Sequence, residues 1–392
     1  MPWRRRPFRD KSLSRALNIG HLRDIASRSV PHFVFEYVEG GSEDETSLRC
    51  NRSAFESYRF VPHTLVDTTA RHHRTQLFGS EIKAPLIIAP TGMNGILRKD
   101  GDLHLARAAA AAGIPFCLST VSTVKLERIA SEAGGRLWMQ LYVMKNRKVA
   151  ENIVTRAHAA GFEALVFTTD ANVFGHREWD RRNYLRPGRP TFRNALDMLR
   201  HPRWLNDVMI SSGVPQFVNF AEFLPPGGAS AIGGSTIIPT LFSPNITWDD
   251  IAWLRGMWDR KLLIKGVLSV ADAERAASLG CDGIILTNHG GRQLDSCVAP
   301  FEMLPEIVAA VGDRMTIIAD SGFRRGSDVV KAVALGADAV MIGRATLYGL
   351  AAGGEPGVRR ALEILIGEID RVLGQLGIRS LDELGPHLLR KG

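Results

Sequence analysis

Residues 285–295 read ILTNHGGRQLD, an apolar run that breaks into an amide, an imidazole, two glycines and a guanidinium. His289 and Arg292 therefore share one loop, three positions apart. An imidazole that takes a proton, beside a guanidinium that grips a carboxylate in bidentate fashion, suits proton abstraction next to a carboxylate. The same residues also suit an ordinary turn with Arg292 capping a neighbour, so the loop alone decides nothing. Other polar groups close apolar runs in the same way: Pro90-Thr91-Gly92, Ser119, Gln140 with Tyr142, Thr168 with Asp170, Lys265, Asp320-Ser321-Gly322 and Gly343-Arg344. Asp170 is suited to hold the His289 ring and to stabilise it as imidazolium.

These groups need elements to bring them together. Three stretches share one pattern: AAGFEALVF (159–167), SLGCDGIIL (278–286) and ALGADAVMI (334–342). Each is a helical end, a glycine fitted to the left-handed position past a helix, a polar step and a short apolar run. Apolar runs without alternation are expected of parallel strands covered on both faces. Eight such strands are expected near 86–90, 116–119, 137–142, 165–169, 262–265, 284–287, 316–320 and 339–342. Helical stretches separate most of them, which predicts an α/β fold and, with eight repeats, a (β/α)8 TIM barrel. A doubly wound sheet is the alternative, but no GxGxxG follows the first strand. In a barrel the catalytic groups sit at the C-terminal ends of strands, which is where the polar residues above fall.

Two segments lie outside the repeat. Residues 1–80 precede the barrel as an N-terminal helical segment, with HLRDIASRSVPHFVFEYVEGG (21–41) read as its helical centre. The barrel region, 81–392, carries a long insertion at 180–246 after strand four. From Arg177 to Trp204 the chain carries eight Arg against Glu178, Asp180 and Asp197, then becomes loop-like in FLPPGGASAIGGST. An insertion of this length is expected to be functional, as a lid or a membrane-contact segment.

The glycine-rich, basic stretches DSGFRRG (320–326) and IGRA (342–345) follow strands seven and eight. That is the usual phosphate site of a barrel, where backbone N–H groups meet an anion. The plain alternative is that Arg324 and Arg325 are solvated surface. Lys265, after Leu262-Leu263-Ile264, needs a partner: a buried ion pair, or the N1–C2 edge of a flavin if that is the cofactor. Composition sets the outer limits. A net charge of +8 and a pI near 9.5 suit an anionic partner, but no nucleic-acid module is present. The four scattered cysteines form no CxxC pair, which argues against a zinc site or disulfide framework and predicts no metal. Arg5-Arg6-Pro7-Phe8 has no apolar h-region after it, so no export signal is read, and no transmembrane span is expected.

Taken together, TNHGGRQLD (287–295), QLYV (140–143), DSGFRRGSD (320–328) and APTG (89–92) resemble the FMN-dependent L-2-hydroxy-acid dehydrogenase and oxidase family. The resemblance runs from about residue 37 to residue 384. EYVEGGSEDE (36–45), AAGIPFCLST (111–120) and LRHPRW (199–204) extend it toward the mandelate-oxidising branch. It implies FMN as cofactor, with Thr91, Gly92, Ser119, Gln140, Thr168, Lys265 and Thr287 at the isoalloxazine. Asp320, Gly322, Arg324, Gly343 and Arg344 would lie at the ribityl phosphate end. It implies His289 as base and Asp170 as its partner. Arg292 and Tyr37 would take the substrate carboxylate, with Tyr142 at the hydroxyl and Arg177 assisting. Tyr37 and Arg177 rest on the resemblance alone.

The implied reaction is oxidation of an (S)-2-hydroxy acid, aromatic and mandelate-like, to the 2-oxo acid. Electrons would pass to a quinone or another non-oxygen acceptor, because oxidases of the family commonly carry alanine where this chain has Gly92. Val121 stands where glycolate-oxidising members place a tryptophan, leaving room for a larger side chain unless Phe174 refills it. The alternative is an oxygen-using lactate or glycolate oxidase, and an FMN isomerase is a further rival. The resemblance also implies a homotetramer, and the scattered cysteines suit the reducing cytoplasm. The Arg-rich stretch with Phe192, Leu196, Met198 and Trp204 is the candidate contact with an anionic membrane surface on the inner face of the cell membrane.

Overall fold

The computed structural model describes residues 8–186, 189–211, 213–224, 228–230, 238 and 240–392. Eight parallel strands close into a barrel in chain order. They are β1 (Leu86–Ile88), β2 (Phe116–Leu118), β3 (Leu137–Leu141), β4 (Ala164–Thr168), β5 (Lys261–Val267), β6 (Gly283–Leu286), β7 (Thr316–Ala319) and β8 (Ala339–Ile342). Each lies within two residues of its sequence expectation, and β5 is the one that runs two residues further at its C-terminal end. The cause is a bulge between Lys265 and Val267, with Gly266 at φ +120°. A Cβ there would meet the Thr169 hydroxyl at 2.8 Å and Asp170 Cβ at 3.0 Å. Glycine thus lets the ends of β4 and β5 draw together under the site.

The strands are buried on both faces, as unalternated Val, Ile and Leu runs require. Ile87, Cys117, Trp138, Val166, Leu263, Ile285, Ile318 and Met341 belong to the packed interior of the barrel. A hairpin, Thr75–Leu77 with Ser80–Ile82, adds Leu77 and Ile82 to the same cluster. Leucine, isoleucine and valine side chains buried this fully contribute roughly 1.5–3 kcal/mol each. The interior is therefore a rigid base on which strand-end loops can be aimed.

The N-terminal segment forms three helices, α1 (Ile19–Ser29), α2 (His32–Glu39) and α3 (Thr46–Ser53). The sequence reads as one helix over 21–41, and the structure breaks it at Val30-Pro31. Pro31 cannot continue a helix from a residue pushed to extended backbone, and Val30 has ψ 156°. Helices α4 (Gly101–Ala112), α5 (Leu126–Ala133) and α6 (Arg147–Ala159) link the first four strands. After the insertion with α7 (Glu178–Arg182) and α8 (Phe192–Leu199), α9 (Asp249–Arg255) leads into β5. Then α10 (Val270–Ser278), α11 (Pro300–Val311) and α12 (Gly326–Ala334) link β5 to β8, and α13 (Arg344–Leu376) follows, kinked at Gly353-Gly354. Helix α1 packs on α13.

Within the insertion, α8 is capped by Thr191, whose side chain accepts from Asn194 N–H. Asp197 accepts from His32 N–H at 2.6 Å, which ties α8 to the start of α2. Phe192, Leu196 and Leu199 stay exposed beside exposed Arg193 and Arg200. Trp204 does not join that face. It is buried, donates its indole N–H to the Ile96 carbonyl at 2.7 Å and stacks edge-on against Phe33. Met198 packs partly against the core. Of the loop-like stretch FLPPGGASAIGGST, 225–227 and 231–236 lie outside the described residues. Among the described residues, no helix is long and apolar enough to cross a membrane.

Candidate active site

One cavity opens at the C-terminal ends of the strands. His289 lines it, three residues past β6, at φ 58° with Gly290 and Gly291 also left-handed. That conformation is unusual for a residue with a Cβ and turns the imidazole back over the barrel mouth. His289 Nδ1 is 2.8 Å from Asp170 Oδ1, and Nε2 is 3.3 Å from the Tyr142 hydroxyl. Burial pulls the imidazole pKa down, and although Asp170 pushes the other way the net shift is below the ordinary 6.5. The ring is thus neutral near pH 7, with Nδ1–H directed at the carboxylate and Nε2 free to accept a proton. Burial also raises the Tyr142 hydroxyl well above the usual phenol range, so it stays protonated.

Arg292 lines the cavity and is held by the N-terminal segment, donating to the carbonyls of Tyr37 at 2.8 Å and Gly40 at 2.7 Å. Arg177, near the start of the insertion, donates to the Arg292 carbonyl at 3.1 Å and lies over the Phe174 ring at 4.3 Å. Tyr37 reaches in from α2, and its hydroxyl donates to the Gly92 carbonyl at 3.2 Å. Two arginines and two tyrosine hydroxyls thus surround the histidine. Tyr37 and Arg177 carry no periodic or strand-end signal, because they come from a leading helix and a loop.

Lys265 resolves an open question of the sequence. It does have a buried ion-pair partner, Asp320, at 2.8 Å, and it also contacts the Thr287 hydroxyl at 3.3 Å. Both members of the pair lie in the cavity wall. Burial alone would depress the ammonium, but Asp320 and then Asp170 raise it overall, so it stays charged. The Asp320 carboxyl, raised by burial, is brought below the usual range by Lys265. Behind the wall runs a buried polar chain across three strand ends. Ser119 donates to Gln140 Oε1 at 3.2 Å, and Gln140 donates to Thr168 Oγ1 at 3.0 Å.

At the far end, Gly322, Arg324, Gly343 and Arg344 line the cavity where α13 begins, with no acidic residue in its first turn. Arg325 turns away to pair with Glu368 at 3.1 Å. Arg344 donates to the carbonyls of Val38, Gly40 and Gly290 at 2.8, 3.0 and 2.8 Å. Burial, and then Arg292, lower its pKa to about 9. It therefore braces the catalytic loop against the N-terminal segment as well as lining the cavity.

The apolar side holds residues that the sequence does not single out: Phe217, Ile238 and Phe242, all from the insertion, beside Val121 and Phe174. Phe242 stacks on Tyr142 with ring centroids 4.6 Å apart, and Phe174 lies 6.2 Å from it. Phe242 is placed there because 241–243 pairs with the chain after β3: Lys145 N–H meets the Leu241 carbonyl and Ser243 N–H meets that of Val143. The only sequence signal for these residues is isolated apolar positions within a polar insertion. Gly92 faces the same wall, where a Cβ would meet Val121 Cγ2 at 2.3 Å.

A barrel whose last two strands end in a glycine-rich basic cradle, with a buried lysine facing a carboxylate-backed histidine, is an enzyme built for a phosphorylated cofactor. The chain belongs to the FMN-dependent dehydrogenase family, whose description matches residues 26–391. It is similar to (S)-mandelate dehydrogenase of Pseudomonas putida, 44% identical over 374 residues that cover 95% of this chain and 93% of that one. A putative L-lactate dehydrogenase of Mycobacterium tuberculosis is 41% identical over 96% of this chain and 89% of its own length. Among solved structures, the monotopic membrane protein (S)-mandelate dehydrogenase superposes with a TM-score of 0.91 at 43% identity, covering 96% of this chain and all of that one. A mandelate oxidase matches at 35% identity with a TM-score of 0.79, over 96% of this chain and 98% of that one. The protein is thus an oxidoreductase that uses FMN. The site fits that group, with a charged buried lysine and a neutral donor–acceptor chain at one end of the cavity and glycine backbone with arginines at the other.

Proposed function

We propose that this protein oxidises an (S)-2-hydroxy acid with an aromatic, mandelate-like side chain to the 2-oxo acid, using FMN and a non-oxygen acceptor such as a quinone. The observation that carries the reading is the joining, in one cavity, of the His289–Asp170 pair, two arginines and the Phe174–Phe242 wall. Arg292, Arg177 and Tyr37 bind the carboxylate, and Tyr142 orients the hydroxyl. His289 Nε2 takes a substrate proton, from the α-carbon or from the hydroxyl, and Asp170 stabilises the imidazolium that forms. FMN, when bound, accepts the two electrons.

Thr91, Gly92, Ser119, Gln140, Thr168, Lys265 and Thr287 hold its ring system, and Asp320, Gly322, Arg324, Gly343 and Arg344 its phosphate end. The Lys265 ammonium, kept charged by Asp320, offsets negative charge that develops during the reaction. Val121, too small to close the cavity, leaves the aromatic wall to receive a phenyl group. The segment 1–80, through its helices α1–α3, completes the site, and 81–392 acts as the catalytic barrel. Within 180–246, the exposed Phe192, Leu196 and Leu199 beside Arg193 and Arg200 suit contact with an anionic membrane surface, and the monotopic relative supports that reading.

The second reading is an oxygen-using oxidase, which the likeness to a mandelate oxidase favours. Anaerobic bleaching of the flavin by (S)-mandelate and by L-lactate, followed by admission of air, separates the two. Mandelate is expected to bleach the flavin at roughly tenfold lower concentration, in line with what one apolar group contributes in a pocket. Slow reoxidation in air is expected with it. Preference for lactate, or rapid reoxidation with hydrogen peroxide release, overturns the proposal.

A further inference from the structure

We infer that Asn51, on α3 of the N-terminal segment, is a positioning residue for the catalytic loop, acting through a reciprocal amide pair with Asn288. The inference rests on the reading of His289 as the base. Asn51 Nδ2 donates to Asn288 Oδ1 at 2.7 Å and Asn288 Nδ2 donates to Asn51 Oδ1 at 2.8 Å, with both side chains buried. The orientation of Asn288 is set independently. Its Oδ1 also accepts from Gly291 N–H at 3.1 Å, and its Nδ2 also donates to the Val298 carbonyl at 3.2 Å. All four bonding positions of that amide are thus engaged, and two of them depend on Asn51.

The pair holds a loop that would not stay folded by itself. His289, Gly290 and Gly291 are three consecutive left-handed residues, and the first has a side chain that disfavours this conformation. Among the described residues, Asn51 is the one side chain that engages both amide atoms of Asn288, the residue directly before the base. The rest of α3 docks on the same loop. Asp295 accepts from the N–H groups of Thr46 and Ser47 at 3.1 and 2.8 Å, and a Cβ on Gly291 would meet Leu48 N at 2.7 Å. One residue on, Arg52 bonds the Gly322 carbonyl and pairs with Asp328 at 2.7 Å. A single short helix therefore keys the loop carrying the base to the glycine-rich cradle of the neighbouring strand. Its registry is what keeps His289 on Asp170 and beneath the substrate.

Asn51→Ala leaves Asn288 short of one donor and one acceptor in a buried site. The loop then relaxes, and His289 loses its alignment. The test is the rate of anaerobic flavin reduction per bound FMN, read together with hydrogen–deuterium exchange in residues 288–298. Asn51→Asp carries the same test if the alanine variant does not fold, because it keeps the size while removing the donor. The expected result is a fall in rate on the order of 10- to 100-fold, the scale of a misplaced catalytic group, with faster exchange confined to the loop. Asp282→Asn, at the opposite end of the barrel, is the control; it removes charge from contacts to Lys261 and Arg255. It is expected to lower Tm at an unchanged rate per flavin. A rate within threefold of the parent, or unchanged exchange, overturns the inference. If the parent flavin is not bleached by any 2-hydroxy acid, the reading of the site fails instead, and exchange in the loop still judges the pair.

Discussion

Asp170→Asn tests the base most directly, because it removes a charge and almost nothing else. The carboxylate oxygen lies 2.8 Å from His289 Nδ1, and both side chains are mostly buried. Oδ2 of Asp170 has no hydrogen-bond partner among the described residues, so its charge is not shared with a second donor. When His289 takes a proton, opposite charges arise with centres about 4 Å apart. At an effective dielectric constant of about 20 their attraction is about 4 kcal/mol. The asparagine carbonyl still accepts from Nδ1–H, so roughly half of that is retained. A loss of about 2 kcal/mol corresponds to a roughly 30-fold slower reaction.

The pH dependence adds a sign. The working form is the neutral ring, so the rate falls as pH drops through the folded-state pKa of His289. Burial sets that value below 6.5 and Asp170 opposes the shift. Without the carboxylate, the acid limb must move to lower pH while the plateau falls. Stopped-flow flavin reduction at saturating (S)-mandelate, from pH 5 to 9, measures both. A plateau within threefold of the parent, or an acid limb moving upward, would refute the reasoning.

Phe242→Ala opens the apolar wall and unstacks Tyr142. KM for mandelate is expected to rise by about tenfold or more while KM for lactate changes little, and equal changes for both acids would remove Phe242 from specificity. Replacing the exposed Phe192 and Leu199 of α8 together by glutamate is expected to abolish co-sedimentation with vesicles containing anionic lipid without altering activity in solution. Retained sedimentation would point to another contact surface.

The barrel was legible because buried parallel strands need short apolar runs and helix ends need glycines, and both leave local marks. The strand-end rule then led to His289, Arg292, Asp170 and Lys265, since in this fold position along a strand implies position in the site. It could not distinguish Arg324 from Arg325, adjacent residues of one type. The structure sends one into the cavity and the other to Glu368. It could not find Phe242 or Asn51 either. Neither stands at a strand end, and each reaches the site through a partner distant in the chain, Tyr142 in one case and Asn288 in the other. Trp204, which composition places with the exposed apolar face, is buried because the indole N–H finds a carbonyl on the barrel side.

The set of elements and the chemistry delivered at their ends are written locally in the chain, because periodicity, glycine placement and residue type act over a few residues. Which groups meet emerges from the folded chain alone: Lys265 with Asp320, Arg344 with three backbone carbonyls, and Asn51 with Asn288. Those pairings span up to 306 positions of chain, and burial makes each unpaired polar group costly enough that the fold must satisfy them together.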